Sequence, residues 1–311
     1  ASRTDIYDFC ISELTWLISD QSDMPEPRYA YPRADKGSAA GLLARMYLNS
    51  KVYTGVERWQ EAKTICETIF NMGYSLCPDY TALFRGDNGT NALVQAEMLW
   101  AVDYNSDYTD SYGGTTYILS ASLASTDITD QSRPNGQVNG WAGLRVPYEY
   151  VSRFFNVSGQ DYETGTYNVT DKRGEIFYIK GRRESMEGAL YSFLNGWSCL
   201  KFTNIPYGQT DESYLATSAR KGFSDVDFPM IRLAEIYLIY AEACMRLESS
   251  GDALPYLEAL ASRAGVAAPT EITEEYLVAE RARELMWEGH RRTDLIRYGL
   301  FRRIPCADIL I

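Results

Sequence analysis

Residues 229–265 read PMIRLAEIYLIYAEACMRLESSGDALPYLEALASRAG. From Pro229 to Leu247, the residues Ile231, Ala234, Leu238, Ala241 and Met245 recur at three- and four-residue steps, the spacing that lines one face of a helix. Ser250-Gly251 turns the chain, and a shorter helix follows from Asp252 to Arg263 with Leu254, Leu257 and Leu260 on its apolar side. Gly265 then supplies a stop, because glycine takes the left-handed conformation that ends helices. Two amphipathic helices joined by a short loop make an αα-hairpin.

The same unit occurs earlier. A helix is expected from Asp35 to Ser50, with Ala39, Leu42, Leu43, Met46 and Tyr47 on one face. A second follows from about Glu57 to Met72, with Trp59, Ala62, Ile65, Cys66 and Ile69 inward and Gly73 as its stop. Residues 1–20 read as a further helix through Ile6, Phe9, Cys10, Leu14 and Leu17, ended by the three prolines between Asp23 and Pro32. A last helix starts at Thr273, whose hydroxyl suits an N-cap, and runs to about Glu288, with Glu274 and Glu275 in the turn where the helix dipole favours acids. Repeated hairpins of this kind must stack to bury their faces, although the strict tetratricopeptide consensus is absent. The expected fold is mostly α, with tetratricopeptide-like hairpins forming a curved scaffold. Residues 1–73 and 229–301 form that scaffold within a single domain. Residues 74–228, rich in Gly, Asn, Asp, Ser, Thr and Tyr, form a large irregular loop-rich insertion that carries the binding residues.

Composition narrows the function classes. The formal net charge of -12 repels nucleic acid. Arg291, Arg292, Arg297, Arg302 and Arg303 sit among Glu284, Glu288 and Asp294 and read as a paired, solvated helix face. No run reaches the roughly 18 apolar residues of a membrane-spanning helix. The six cysteines, at 10, 66, 77, 199, 244 and 306, form no zinc spacing. Cys66 and Cys244 fall in helical apolar patterns, so buried free thiols are expected. The chain begins Ala-Ser-Arg with no Met or signal region, which suggests a processed chain or a fragment. The 24 Tyr and 6 Trp exceed the 11 Phe. Their rings combine an apolar face with a hydrogen-bonding edge, as suits the C–H faces of sugars, though Tyr-rich cores give the same count.

Several of these segments resemble the SusD/RagB-like family. Asp35 to Asn88, DKGSAAGLLARMYLNS…WQEAKTICETIFNMGYSLCPDYTALFRGDN, resembles its first hairpin and the Gly-Tyr-x-Leu…Tyr…Leu-Phe run after it. Met98 to Asn105, MLWAVDYN, resembles the strand that follows, and Pro229 to Gly265 the second hairpin. Glu280 to Gly299, ERARELMWEGHRRTDLIRYG, matches the signature ERxxELxxEGHRxxDLxRxG at nearly every fixed position. It departs at Arg292-Thr293, where the family carries bulky aromatics. Arg303 to Ile311, RIPCADILI, resembles the start of a longer C-terminal tail, and the long N-terminal region with its lipid-attachment Cys has no counterpart. The chain is therefore expected to be incomplete at both termini. The resemblance implies a non-catalytic lipoprotein on the outer face of the outer membrane. Such a protein captures an oligosaccharide or polysaccharide and delivers it to a SusC-like TonB-dependent transporter. Its only link to the membrane is a lipid anchor not seen in this chain.

The candidate ligand-binding residues lie in the loops. Trp141, in Asn139-Gly140-Trp141, and Tyr104, Tyr108, Tyr112 and Tyr117 offer stacking faces. Asn139, Arg145 and Asp107 offer hydrogen bonds to hydroxyls, the usual mixture of apolar faces and a few polar groups. Trp141 reads equally as a core anchor. Trp197, in Asn195-Gly196-Trp197, is a second candidate platform, while Trp16, Trp59, Trp100 and Trp287 read as core. No catalytic residue, cofactor or metal ligand is expected. His290 has no triad or metal partners and reads as structural. Asp103, Asn105 and Asp107 begin like a calcium loop, but Tyr108 and Gly114 stand where Gly and Glu are needed. Two other functions remain open: a tetratricopeptide-like adaptor binding a protein or peptide in its helical groove, and a glycoside hydrolase using a carboxylate pair such as Glu235/Glu242 or Glu284/Glu288.

Overall fold

The computed structural model describes residues 1–129, 132–186, 191–217 and 222–301; Arg302, Arg303, Cys306 and the remaining tail lie outside the described residues. The fold is mostly α, built on tetratricopeptide-like hairpins, and its strands are short, two to five residues each. The chain divides into two compact units, one of residues 1–76, 96–101 and 229 onward, the other of residues 77–95 and 102–228.

The first unit holds the hairpins. Ser2 opens the helix Arg3–Leu17 with a capping box closed by Asp5, which satisfies orphan N–H groups at its start. Its buried residues are Tyr7 and Leu14, while Ile6, Phe9 and Trp16 are exposed. The expected face is therefore corrected, and Trp16 is not core. Tyr7 takes the inward place because its hydroxyl reaches the Met46 carbonyl at 3.3 Å, so an aromatic with a satisfied polar tip displaces the aliphatic stripe.

Asp35 caps the helix Lys36–Leu48, accepting from Ser38 N at 3.0 Å. This helix is buried on most sides, with Leu42 alone of the expected apolar face turned out to solvent. Gly41 permits its close packing: a Cβ there would stand 2.8 Å from the Ile231 side chain. The helix Trp59–Phe70 buries Trp59, Ala62, Ile65, Cys66 and Ile69 as expected, and Gly73 beyond it has φ +81°. It packs against both Lys36–Leu48 and Leu233–Arg246. Phe70 stacks on Tyr256 at 4.4 Å and meets the edges of Tyr237 and Tyr240.

The second hairpin begins later than its periodicity implies. Phe228–Arg232 is a strand paired with Met98–Val102, and the helix starts at Leu233. Ile231 is thus a strand residue. Arg232 has extended geometry (φ -136°, ψ 158°), and Leu233 N donates to Glu97 O at 2.9 Å, so ladder bonding outweighs the apolar spacing. The partner helix is Leu254–Ala264, closed by Gly265 at φ +72°. Thr273 caps Glu274–Glu284, accepting from Tyr276 N at 3.1 Å. That helix ends at Glu284, four residues early. The chain turns through Trp287 and Gly289, both at positive φ, into Arg291–Arg297.

That turn aims the signature's charges inward. Arg232, Arg263, Glu97, Glu284 and Glu288 are all buried as one network. Arg281, Asp294, Arg297 and Glu242 make a second. Glu235 receives Arg45 at 2.6 Å and lies 3.5 Å from His290 Nδ1. Arg–acid pairing is present, but the expected solvated helix face is not: among these residues Arg297, Glu284, Glu288 and Asp294 are buried. Burial opposes the charge of Arg232, but Glu288 and then Glu284 more than restore it, so its pKa lies well above the ordinary value.

The second unit has short helices at Gly114–Ala121, Tyr148–Phe155 and Asp211–Thr217, and two small antiparallel ladders. Its centre is Trp197, 0% exposed. Tyr148, Tyr162, Tyr167 and Phe177 surround the indole at 5.3–6.3 Å, and its N–H donates to the Tyr162 hydroxyl at 3.2 Å. Trp197 is therefore a core residue, not a platform. Four of the five described cysteines, Cys66, Cys77, Cys199 and Cys244, are buried free thiols, and burial pushes the Cys199 thiol up to about 12.

Candidate functional site

The candidate site is assembled at the start of the helix Gly114–Ala121. Gly114 takes φ +57°, and a Cβ there would stand 1.7 Å from the Tyr104 hydroxyl oxygen, so only glycine lets this helix begin against the Tyr104 ring. Tyr104 is anchored in turn by its backbone N–H, which donates to Asp227 Oδ1 at 2.8 Å. The helix buries Thr115 and Thr116, and Thr116 Oγ1 accepts from Ser224 N at 3.0 Å. The next residue, Tyr117, then faces solvent.

Residues 139–144 lie along the end of this helix. Trp141 N donates to Ser120 O at 2.8 Å, Ala142 N to Leu123 O at 2.8 Å and Leu144 N to Ala121 O at 3.1 Å. Gly140 permits the contact, since a Cβ there would come within 2.5 Å of the Ala124 backbone. The Trp141 ring is left standing on the surface, 39% exposed, beside Tyr112 at 68% and Tyr117 at 48%.

The three rings form one patch. Trp141 lies 5.8 Å from Tyr112 at an interplanar angle of 54° and 6.4 Å from Tyr117 at 47°. Phe223 extends it, 5.4 Å from Tyr112. The half-buried Asn139 supplies an amide nearby: its Nδ2 lies 4.0 Å from where a Gly222 Cβ would be. Phe223 escaped the sequence reading because it stands alone in a loop, and its only signal is an aromatic directly after Gly222.

Other sequence candidates sit elsewhere or act otherwise. Tyr108 is exposed with no ring contact among the described residues. Asp107 is an exposed residue of a turn in which its N–H donates to Asn105 Oδ1. Tyr104 supports the helix start beneath the platform. Arg145 donates to the carbonyls of Ser192 and Asn195, and burial followed by the charge of Arg182 lowers its pKa. Among the described residues no three His, Cys, Asp or Glu side chains converge on a metal site, and no helix is long and apolar enough to cross a membrane.

Residues 189–304 match the sequence model of the SusD family. The chain is 31% identical to the starch-binding protein SusD of Bacteroides thetaiotaomicron over 332 aligned residues, covering 96% of this chain and 57% of that protein. The chain is similar to members of the SusD family along nearly its whole length. It is also 26% identical to a SusD-like protein of Bacteroides ovatus, covering 97% of this chain and 52% of that one. The chain thus spans a little over half the length of these relatives. The fold agrees with that of surface glycan-binding protein A of Bacteroides thetaiotaomicron, with a TM-score of 0.71 and 20% identity over 98% of this chain and 64% of that one. The SusD signature, Glu280 to Gly299, is the segment whose acids and arginines form the buried networks of the first unit.

Proposed function

We propose that this chain binds an oligosaccharide without cleaving it, on the platform of Tyr112, Tyr117 and Trp141, and hands it at the outer membrane's external face to a SusC-like TonB-dependent transporter. The observation that carries the reading is the exposure of three adjoining aromatic rings, with Trp141 in contact with both Tyr112 and Tyr117. Folding gains nothing from leaving them in water, whereas their faces suit sugar C–H surfaces. Asn139 at the edge supplies hydrogen bonds for hydroxyls, so stacking gives affinity and the amide gives selectivity. The mutual tilt of the rings near 50° follows a curved polymer better than a flat ribbon. The names of the relatives point to the same ligand class: one is a starch-binding protein, and one solved neighbour holds laminarihexaose.

The hydrolase reading loses its candidate acids. Glu235, Glu242, Glu284 and Glu288 are buried and each is bonded to arginine, so none faces a glycosidic bond with a proton to give. Affinity electrophoresis against soluble polysaccharides, native chain beside Trp141→Ala, tests the proposal. Retardation by a glycan that the variant loses is the expected result. Retardation kept by the variant removes Trp141 from the site, and release of reducing ends over hours would show catalysis instead.

A further inference from the structure

Four consecutive carbonyls in the 192–195 loop are each held by a donor. Arg145 Nη1 donates to Ser192 O at 2.5 Å and to Asn195 O at 3.1 Å. Arg182 Nη1 donates to Phe193 O at 2.9 Å, and Arg183 N to Leu194 O at 2.8 Å. Arg182 is itself fixed by an ion pair with Asp127. Asp127 ends the turn Ser125–Asp127, and the residue just before that turn, Ala124, bridges to Trp141.

With these carbonyls held, Phe193 and Leu194 are left exposed while Asn195 is buried. Tyr191 is 85% and Phe193 46% exposed, and the Arg145 guanidinium lies 5.4 Å from the Phe193 ring centre, within cation–π range. A surface loop usually displays polar residues and moves freely. This one fixes the exposed Phe193 in place with two guanidiniums, beside the exposed Tyr191, and ordering a contact before the ligand arrives lowers the entropic cost of binding. Arg145, which holds the loop, is close to the platform along the chain. It lies four positions beyond Trp141, a span of at most about 14 Å.

We propose that Tyr191 and Phe193 form a second aromatic subsite for the same glycan, reached only by longer chains, with Phe193 positioned by Arg145 and Arg182. This rests on the glycan reading above. The chemistry is the same in both places, an exposed ring face against a sugar ring, and the subsite makes affinity rise with chain length. Arg145 thus acts through the loop and is a positioning residue.

Calorimetric titration of the 311-residue chain with maltotriose and maltoheptaose, and in parallel with laminaritriose and laminarihexaose, tests it. Phe193→Ala and Tyr191→Ala are expected to weaken the longer member of the series that binds by about three- to tenfold and to leave the trisaccharide unchanged. Trp141→Ala weakens both lengths. Both loop positions are exposed, and circular dichroism of each variant checks that it folds. If the loop variants bind the longer sugar as the native chain does, the subsite is overturned while the platform stands. Equal loss for both lengths also overturns it, since the loop would then only support the platform. Binding of neither series by the native chain removes the glycan reading for these polymers and the subsite with it.

Discussion

Arg232 Nη1 donates to Glu284 Oε1 across 2.6 Å, although the two residues are 52 positions apart and both side chains are buried. The same guanidinium reaches Glu97 at 3.0 Å and Glu288 at 2.7 Å. One cation therefore gathers carboxylates from the strand region, the last long helix and the turn after it. Arg232→Met keeps the length of the side chain but strips this charge, leaving Glu97 and Glu284 with Arg263 and taking from Glu288 the guanidinium it accepts from. Breaking a buried pair from one side costs about 3–5 kcal/mol. The expected outcome is a large fall in the urea midpoint of unfolding. A midpoint equal to the native one would show that the network contributes little.

Acid should loosen the same unit. Burial raises the Glu235 pKa, but His290 and then Arg45 outweigh it, so the net shift is downward. Asp294 is likewise lowered, with Arg281 and Arg297 overcoming burial. His290 is lowered from 6.5, first by burial. For each group the folded pKa lies below the unfolded one, so the unfolded chain binds more protons in between and stability rises with pH there. The contribution is complete above the unfolded values and is lost as pH falls through the folded ones. Thermal unfolding followed between pH 8 and pH 3 should show a first decline below about 6.5, where His290 protonates on unfolding, and a steeper one below about 4, where the carboxylates do. A midpoint that rose on acidification would contradict this assignment.

Two tryptophans in identical local sequence should behave oppositely. Trp197→Ala removes a 0% exposed ring from among four aromatics and is expected to cost about 3–5 kcal/mol. Trp141→Ala, on the surface, is expected to cost about 1 kcal/mol or less while abolishing glycan retardation. Urea denaturation of both variants separates them. Similar stability losses would place Trp141 in the core.

The caps and helices were the most legible part of the chain. Thr273 acts as the expected N-cap, the helix expected from Asp35 begins there, and Gly73 and Gly265 follow their helices at positive φ, because these signals depend on residues a few positions apart. The Trp59–Phe70 helix buried all five residues that its period selects. The Arg3–Leu17 helix had about the right extent, and Leu14 is buried as expected, but Ile6 and Phe9 are exposed while Tyr7 wins an inward place through a hydrogen bond to residue 46. The start of the second hairpin was also misread, since pairing with residues 98–102 converts 228–232 to strand.

Local pattern by itself determined that this chain is helical, where the hairpins lie and where several of their helices begin and end, since each depends on neighbours within a turn or two. Only the tertiary structure decided which charges are buried and which aromatics are free. Asn139-Gly140-Trp141 and Asn195-Gly196-Trp197 are the same tripeptide, yet one indole stands in solvent and the other has none. The difference comes from distant residues: Tyr148, Tyr162, Tyr167 and Phe177 close over Trp197, whereas Tyr112 and Tyr117 only flank Trp141. Burial belongs to the whole packed unit, and a sequence window cannot contain it.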